Sequence, residues 1–211
     1  MKSVKEIVGE LKIVPVVKLT SPTQAKPLAK ALIDGGLPIA EITFRTDAAE
    51  ESIRLISEAY PEMCVGAGTV INKAQAETAV AAGAKFLVSP GFSPAIAEYA
   101  QATGTPYFPG TCTPTEIMAA LEYGLDVMKF FPAKQYGGLA TVKALAAPFA
   151  GIKFMPTGGV NAGNIKEFLE CDKIIACGGT WMVDSRLIEA GDYEAVTALV
   201  KEAVGLVKEI S

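Results

Sequence analysis

Short apolar runs rich in β-branched residues recur along the chain, each followed by a stretch with Ala, Leu, Glu and Lys at helical spacing. The runs are IVPVV from Ile13, IAEITF from Ile39, MCVGAGTV from Met63 and FLVSP from Phe86. PYFPGT from Pro106, DVMKFFP from Asp126, KFMPTGG from Lys153 and KIIACGG from Lys173 complete the series. Their starts lie 20 to 27 residues apart, the length of one strand, one helix and two short loops. Eight strand–helix units are therefore predicted. Ser21 and Pro22 mark one helix start with Gly35 as its stop, and Thr113, Pro114 and Glu116 mark another that ends at Gly124. A helix is expected at the N-terminus and a final one over about Tyr193 to Ile210.

Eight alternating units in one sheet form either an open doubly wound sheet or a closed barrel. Open versions usually carry a glycine fingerprint for nucleotides after the first strand. Here GAGTVI places Ile71 where the third glycine of that fingerprint belongs, and no GxxxxGK[ST] occurs. The expectation is an α/β fold, a single compact (β/α)8 TIM barrel with an N-terminal helix, occupying residues 1–211 as one domain. Half of the 211 residues are hydrophobic, enough for one such core, and no linker, low-complexity tract or sequence repeat interrupts them.

Charge narrows the function classes. Nineteen basic and twenty-three acidic residues are interspersed, which argues against a nucleic-acid partner. The chain has no histidine, so Ser-His and Cys-His nucleophiles and histidine-held metals are excluded. Catalysis has to use Lys, Glu, Asp, Cys or Tyr. Cys64, Cys112, Cys171 and Cys177 form no CxxC pair and read as buried thiols. The opening MKSVKEIVGELK scatters charges, and no apolar run reaches membrane length, so a cytoplasmic protein without a membrane partner is expected.

In a barrel of this kind the active site lies at the C-terminal ends of the strands, which sorts the lysines. Lys85, Lys153 and Lys173 flank strand starts and belong to the opposite rim, whereas Lys129 is embedded in VMKFFP. It either reaches solvent or a carboxylate as a structural residue, or serves as a nucleophilic amine, since apolar surroundings favour the neutral, reactive form. Alternation in IAEITFR puts Glu41, Thr43 and Arg45 on one strand face, as a structural Glu–Arg pair or as an acid/base beside a carboxylate clamp. TGGVN and CGGTW close the last two strand runs; glycine pairs there make tight turns or present backbone N–H groups to a phosphate, with Thr157 and Thr180 adding hydroxyls. Lys18, late in the first run, is a rival nucleophile better suited to steering or carboxylate binding.

These residues resemble the KDPG/KHG aldolase family, the 2-keto-3-deoxy-6-phosphogluconate aldolases of the Entner–Doudoroff pathway. The likeness runs nearly end to end, through EITFRT from Glu41, VGAGTV from Val65, VSPGF from Val88, KFFPA from Lys129, PTGGVN from Pro156 and GGTW from Gly178. It implies a homotrimer and a metal-independent class I aldolase that needs no cofactor. Lys129 becomes the Schiff-base lysine and Glu41 the general acid/base. Arg45 and Thr69 hold the substrate carboxylate, and Pro90 and Phe131 form the pocket wall. On the same resemblance Thr157, Gly158, Gly159, Gly178, Gly179 and Thr180 become the phosphate-binding sector. The expected substrates are keto acids and phosphorylated sugar acids. Alternatives are 4-hydroxy-2-oxoglutarate aldolase, alone or as a second activity, a galactonate-branch analogue, and a non-catalytic phosphosugar-binding barrel.

Overall fold

The computed structural model describes residues 2–210. Eight parallel strands alternate with helices: β1 (Ile13–Val17), β2 (Ile39–Thr43), β3 (Cys64–Gly68), β4 (Leu87–Val88), β5 (Tyr107–Phe108), β6 (Val127–Phe130), β7 (Lys153–Pro156) and β8 (Cys177–Gly179). A curled sheet of six strands runs in the order β5-β4-β3-β2-β1-β8, and β6 pairs with β7. Isolated bridges link Gly110 to Lys129 on one side of that pair, and Phe154 to Ile174 and Thr157 to Gly178 on the other.

The eight strand–helix units are present, but the strands are less even than the sequence period implies. Only two residues of β4 and of β5 are strand, and β8 starts at Cys177 instead of Lys173. Prolines explain the first two: Pro106 and Pro109 bracket β5 and Pro90 follows β4, and a proline has no N–H for the ladder.

Helices α1 (Val4–Leu11), α2 (Ala25–Asp34), α3 (Ala49–Ala59), α4 (Lys73–Ala81) and α5 (Pro94–Thr103) accompany the first half of the sheet. The second half carries α6 (Pro114–Glu122), α7 (Gly138–Ala146), α8 (Ile165–Leu169), α9 (Ser185–Ala190) and α10 (Tyr193–Lys208). The expected N-terminal helix begins with a reciprocal cap between Ser3 and Glu6. It lies at the end where the strands start, with Lys5 paired to Asp126 before β6 and Gly9 against Ile175 before β8. The last helix packs on α2, where Gly35 lets the Val200 side chain approach: a Cβ there would stand 2.4 Å from it.

Large apolar side chains pack both faces of the sheet, Phe86 on the face of Glu41 and Phe130 and Phe154 on the face opposite Lys129. Phe86 is fully buried and lies over Gly66, where a Cβ would meet its ring at 2.4 Å, while Phe130 and Phe154 meet edge-on at 6.4 Å between centroids. Cys64, Cys171 and Cys177 are buried, as expected, but Cys112 is only half-buried because it sits in the loop after β5. Lys85 and Lys153 donate to the carbonyls of Pro61 and Asp172, which keeps them at the strand-start end.

Candidate active site

Alternation along β2 carries Glu41 and Thr43 to one face of the strand, and the side chain of Glu41 is fully buried. Its neighbour on β3 across from Thr43 is Gly68, and a Cβ at Gly68 would fall 2.1 Å from Glu41 Oε1. The glycine is what leaves room for the carboxylate. Lys129 comes from β6, 88 residues away in sequence, and donates from Nζ to Glu41 Oε1 at 3.1 Å. Its backbone is held by donation from its N–H to the Pro109 carbonyl at 2.8 Å and from the Thr111 N–H to its own carbonyl at 2.9 Å.

Both charged side chains are almost without solvent, at 4% and 0% exposure, so each compensates the other's desolvation. Glu41 Oε2 is buried and, among the described residues, has no hydrogen-bond partner, which leaves it one unused acceptor. Nζ stands 5.3 Å from the centroid of the Phe131 ring, which supplies the apolar wall beside the amine. Of the two sequence readings of Glu41, pairing with Arg45 is not what the structure contains. Arg45 is exposed and donates from Nε to Thr69 Oγ1 at 3.2 Å. Thr69 has a positive φ of 55°, a conformation that costs a β-branched residue energy and is kept where surrounding structure imposes it.

Beyond the ends of β1, β2 and β8 opens a cavity of about 390 Å³, lined among others by Lys18, Thr43, Arg45, Thr180, Trp181 and Ser185. Thr43, two residues beyond Glu41 on the same strand face, connects the two regions; its hydroxyl donates to the Val17 carbonyl at 2.9 Å. Lys18 is exposed and, among the described residues, makes no ion pair; the same holds for Arg45. Asp184 also lines the cavity, but Arg186 chelates its carboxylate and its own N–H donates to it, holding the acid down to about 2. The mouth is thus cationic and fits an anionic ligand.

The glycine-rich sector is divided. Thr157 bridges Gly178, its buried hydroxyl donates to the Met155 carbonyl at 3.4 Å, and a Cβ at Gly178 would lie 2.2 Å from that oxygen. Thr180 borders the mouth cavity. Gly158 and Gly159, both with positive φ, border a neighbouring cavity of about 480 Å³ with Lys134, Asn161 and Asn164. Pro90 is exposed just beyond β4, its carbonyl against Gly110. Trp181 and Ser185 at the mouth, and the space-making Gly68, were not singled out by sequence; a glycine inside a strand pattern was the available signal for the last. Among the described residues no three Cys, Asp or Glu side chains are grouped so as to hold a metal ion, and no helix is long and apolar enough to cross a membrane.

Residues 4–199 match the family model of KDPG and KHG aldolase. A 2-dehydro-3-deoxy-phosphogluconate aldolase of Treponema pallidum is 44% identical over 98% of this chain and 99% of its own. Among solved structures, a KDPG aldolase from Legionella pneumophila, with pyruvate captured as a covalent carbinolamine, superposes with a TM-score of 0.90 at 34% identity, covering 93% of this chain and 96% of that one. The Zymomonas mobilis 2-keto-3-deoxy-6-phosphogluconate aldolase with 3-phosphoglycerate gives a TM-score of 0.88 at 38% identity, over 96% of both chains.

Proposed function

This chain belongs to the KDPG and KHG aldolase family, and on that premise we propose that it is a metal-independent class I lyase. It cleaves 2-keto-3-deoxy-6-phosphogluconate to pyruvate and glyceraldehyde 3-phosphate. The observation that carries this reading is the buried contact of 3.1 Å between the Lys129 amine and the Glu41 carboxylate, a nucleophile with an acid/base in reach. The covalent pyruvate adduct in the Legionella relative supports the same chemistry.

Lys129 passes a proton to Glu41 and attacks the C2 ketone as the neutral amine; a second amine proton moves to the new alkoxide to give the carbinolamine, and Glu41 returns the first to its hydroxyl, which leaves as water. The resulting iminium accepts the electron pair released when C3–C4 breaks. Glu41, again as carboxylate, takes the C4 hydroxyl proton as glyceraldehyde 3-phosphate departs. Glu41 gives that proton to C3 of the enamine, and attack of water on the resulting iminium frees pyruvate and the amine. Arg45 and Thr69, already joined by a hydrogen bond, hold the keto-acid carboxylate, and Pro90 and Phe131 wall the imine. Thr180, Gly178 and Gly179 with Thr157, Gly158 and Gly159 form the phosphate sector. Lys18, exposed at the cavity mouth, draws in the anion.

A second activity on 4-hydroxy-2-oxoglutarate belongs to the same proposal, because the family model names both substrates and Lys129, Glu41 and Arg45 need no phosphate. The bridges beside β6 and β7 support one closed (β/α)8 barrel comprising a single domain. We assign it to the cytoplasm as a homotrimer. Exposed Met118 and Leu121 on α6 are candidates for the subunit contact, and equilibrium sedimentation reads the assembly directly.

Pyruvate with borohydride tests the chemistry. Inactivation should follow, with the reduced adduct on the Lys129 peptide. A label on Lys18, or retained activity in Lys129→Ala, would overturn the assignment.

A further inference from the structure

Ser89 and Tyr107 form a buried hydroxyl pair that the proposed chemistry does not use. Ser89 follows β4 and Tyr107 lies in β5, at 1% and 3% exposure, and their hydroxyl oxygens are 2.5 Å apart. Both also reach the carbonyl of Gly91, Tyr107 Oη at 3.3 Å and Ser89 Oγ more closely. Two hydroxyls carry two protons. One makes the bond between them and the other goes to Gly91, so the pair is satisfied only while the loop after β4 keeps its position.

That loop is coupled to the nucleophile. Pro90 stands between Ser89 and Gly91, and its carbonyl presses on Gly110 so closely that a Cβ there would lie 2.1 Å from the oxygen. Gly110 in turn bridges Lys129, whose N–H and carbonyl bond to the residues on either side of it. A path of packed backbone therefore runs from the hydroxyl pair through Pro90 and Gly110 to the strand that carries the amine.

We propose that Tyr107 and Ser89 are positioning residues, which fix the Pro90–Gly91 turn and through it the wall of the site and the register of Lys129. Neither touches substrate. The inference rests on Lys129 being the imine-forming residue. Loss of one hydroxyl lets the turn relax by a fraction of an ångström, enough to slow a step that depends on near-attack geometry.

The test is Tyr107→Phe and Ser89→Ala, each with the wild type and with Pro90→Ala as a second background. Expected are a fall in kcat of about tenfold, a KM changed less than about twofold, and a parallel slowing of pyruvate imine formation read by borohydride trapping. In the Pro90→Ala background the cost of the same substitution should differ from that in the wild type by more than about twofold, because alanine keeps the carbonyl against Gly110 but frees the φ of the turn through which both substitutions act. Unchanged trapping per folded molecule with a lowered Tm would make the pair merely structural and overturn the proposal, as would equal losses in both backgrounds. If the wild type itself forms no trapped adduct on Lys129, the imine chemistry fails instead, and the two failures are told apart.

Discussion

The Glu41 carboxylate has room beside the Lys129 amine because one neighbour has no side chain. Gly68→Ala would put a methyl group 2.1 Å from Glu41 Oε1 and must push the carboxylate off the Lys129 amine. It should therefore mimic Glu41→Gln, with kcat down about a hundredfold or more while the lysine is still trapped slowly by pyruvate and borohydride. Normal turnover in either variant would move the acid/base role to another group. Two other single residues set an alkaline limit. Burial pushes the Cys64 thiol up to about 11 and the Cys177 thiol up to about 12. The folded state keeps these protons after an unfolded thiol, near 9, has lost them, so their contribution is intact below about pH 9 and declines above it. Urea midpoints should fall more steeply with rising pH in the wild type than in Cys64→Ala/Cys177→Ala. Lys129 and Glu41 were legible in the sequence because a charge inside an apolar strand is conspicuous. Gly68 was not, because a glycine does not say which side chain fills the space it leaves.

Among the elements, helix starts were the most legible, since capping is local chemistry written within four residues. At α6 the Glu116 carboxylate accepts from the Cys112 N–H at 2.7 Å, the Thr113 N–H at 2.9 Å and the Thr113 hydroxyl at 3.0 Å. The Thr113 hydroxyl oxygen accepts from the Glu116 N–H at 3.3 Å. Thr113→Ala should lower unfolding free energy by about 1 kcal/mol in urea titration, with pyruvate trapping unchanged. A shift within error would mean that solvent replaces the cap. Ser21 likewise begins its turn as expected, though Pro22–Gln24 forms a 3-10 turn before α2 proper at Ala25. Strand lengths were less legible. They depend on which partner N–H groups are present across the sheet, and Pro90, Pro106 and Pro109 remove donors where the apolar pattern alone extends β4 and β5. The hydroxyl pair of Ser89 and Tyr107 escaped for a related reason: 18 residues apart, the two meet only when adjacent strands pair.

At the scale of the whole molecule, the mouth cavity is bordered by strand ends from opposite ends of the chain, with Lys18 after β1, Arg45 after β2 and Thr180 after β8. On the proposed reading, a substrate anionic at both ends would set its carboxylate on Arg45 and Thr69 and its phosphate toward Thr180 and the glycines. Charge-assisted hydrogen bonds contribute about 1.5 to 3 kcal/mol each, so two of them favour the 6-phosphorylated substrate over its dephosphorylated analogue by roughly a hundred- to ten-thousandfold in kcat/KM. Thr180→Val removes one hydroxyl and keeps the shape. Its cost should fall on the phosphorylated substrate, shrinking the preference by about tenfold or more, while kcat/KM for 4-hydroxy-2-oxoglutarate changes little. Arg45→Ala should weaken both substrates alike, because both present the same keto-acid carboxylate. The four rates, two variants on two substrates, separate the ends of the site. Equal losses for Thr180→Val on both substrates would make Thr180 a residue that shapes the sheet rather than one that reads phosphate, and a wild type indifferent to phosphate would make 4-hydroxy-2-oxoglutarate the principal substrate.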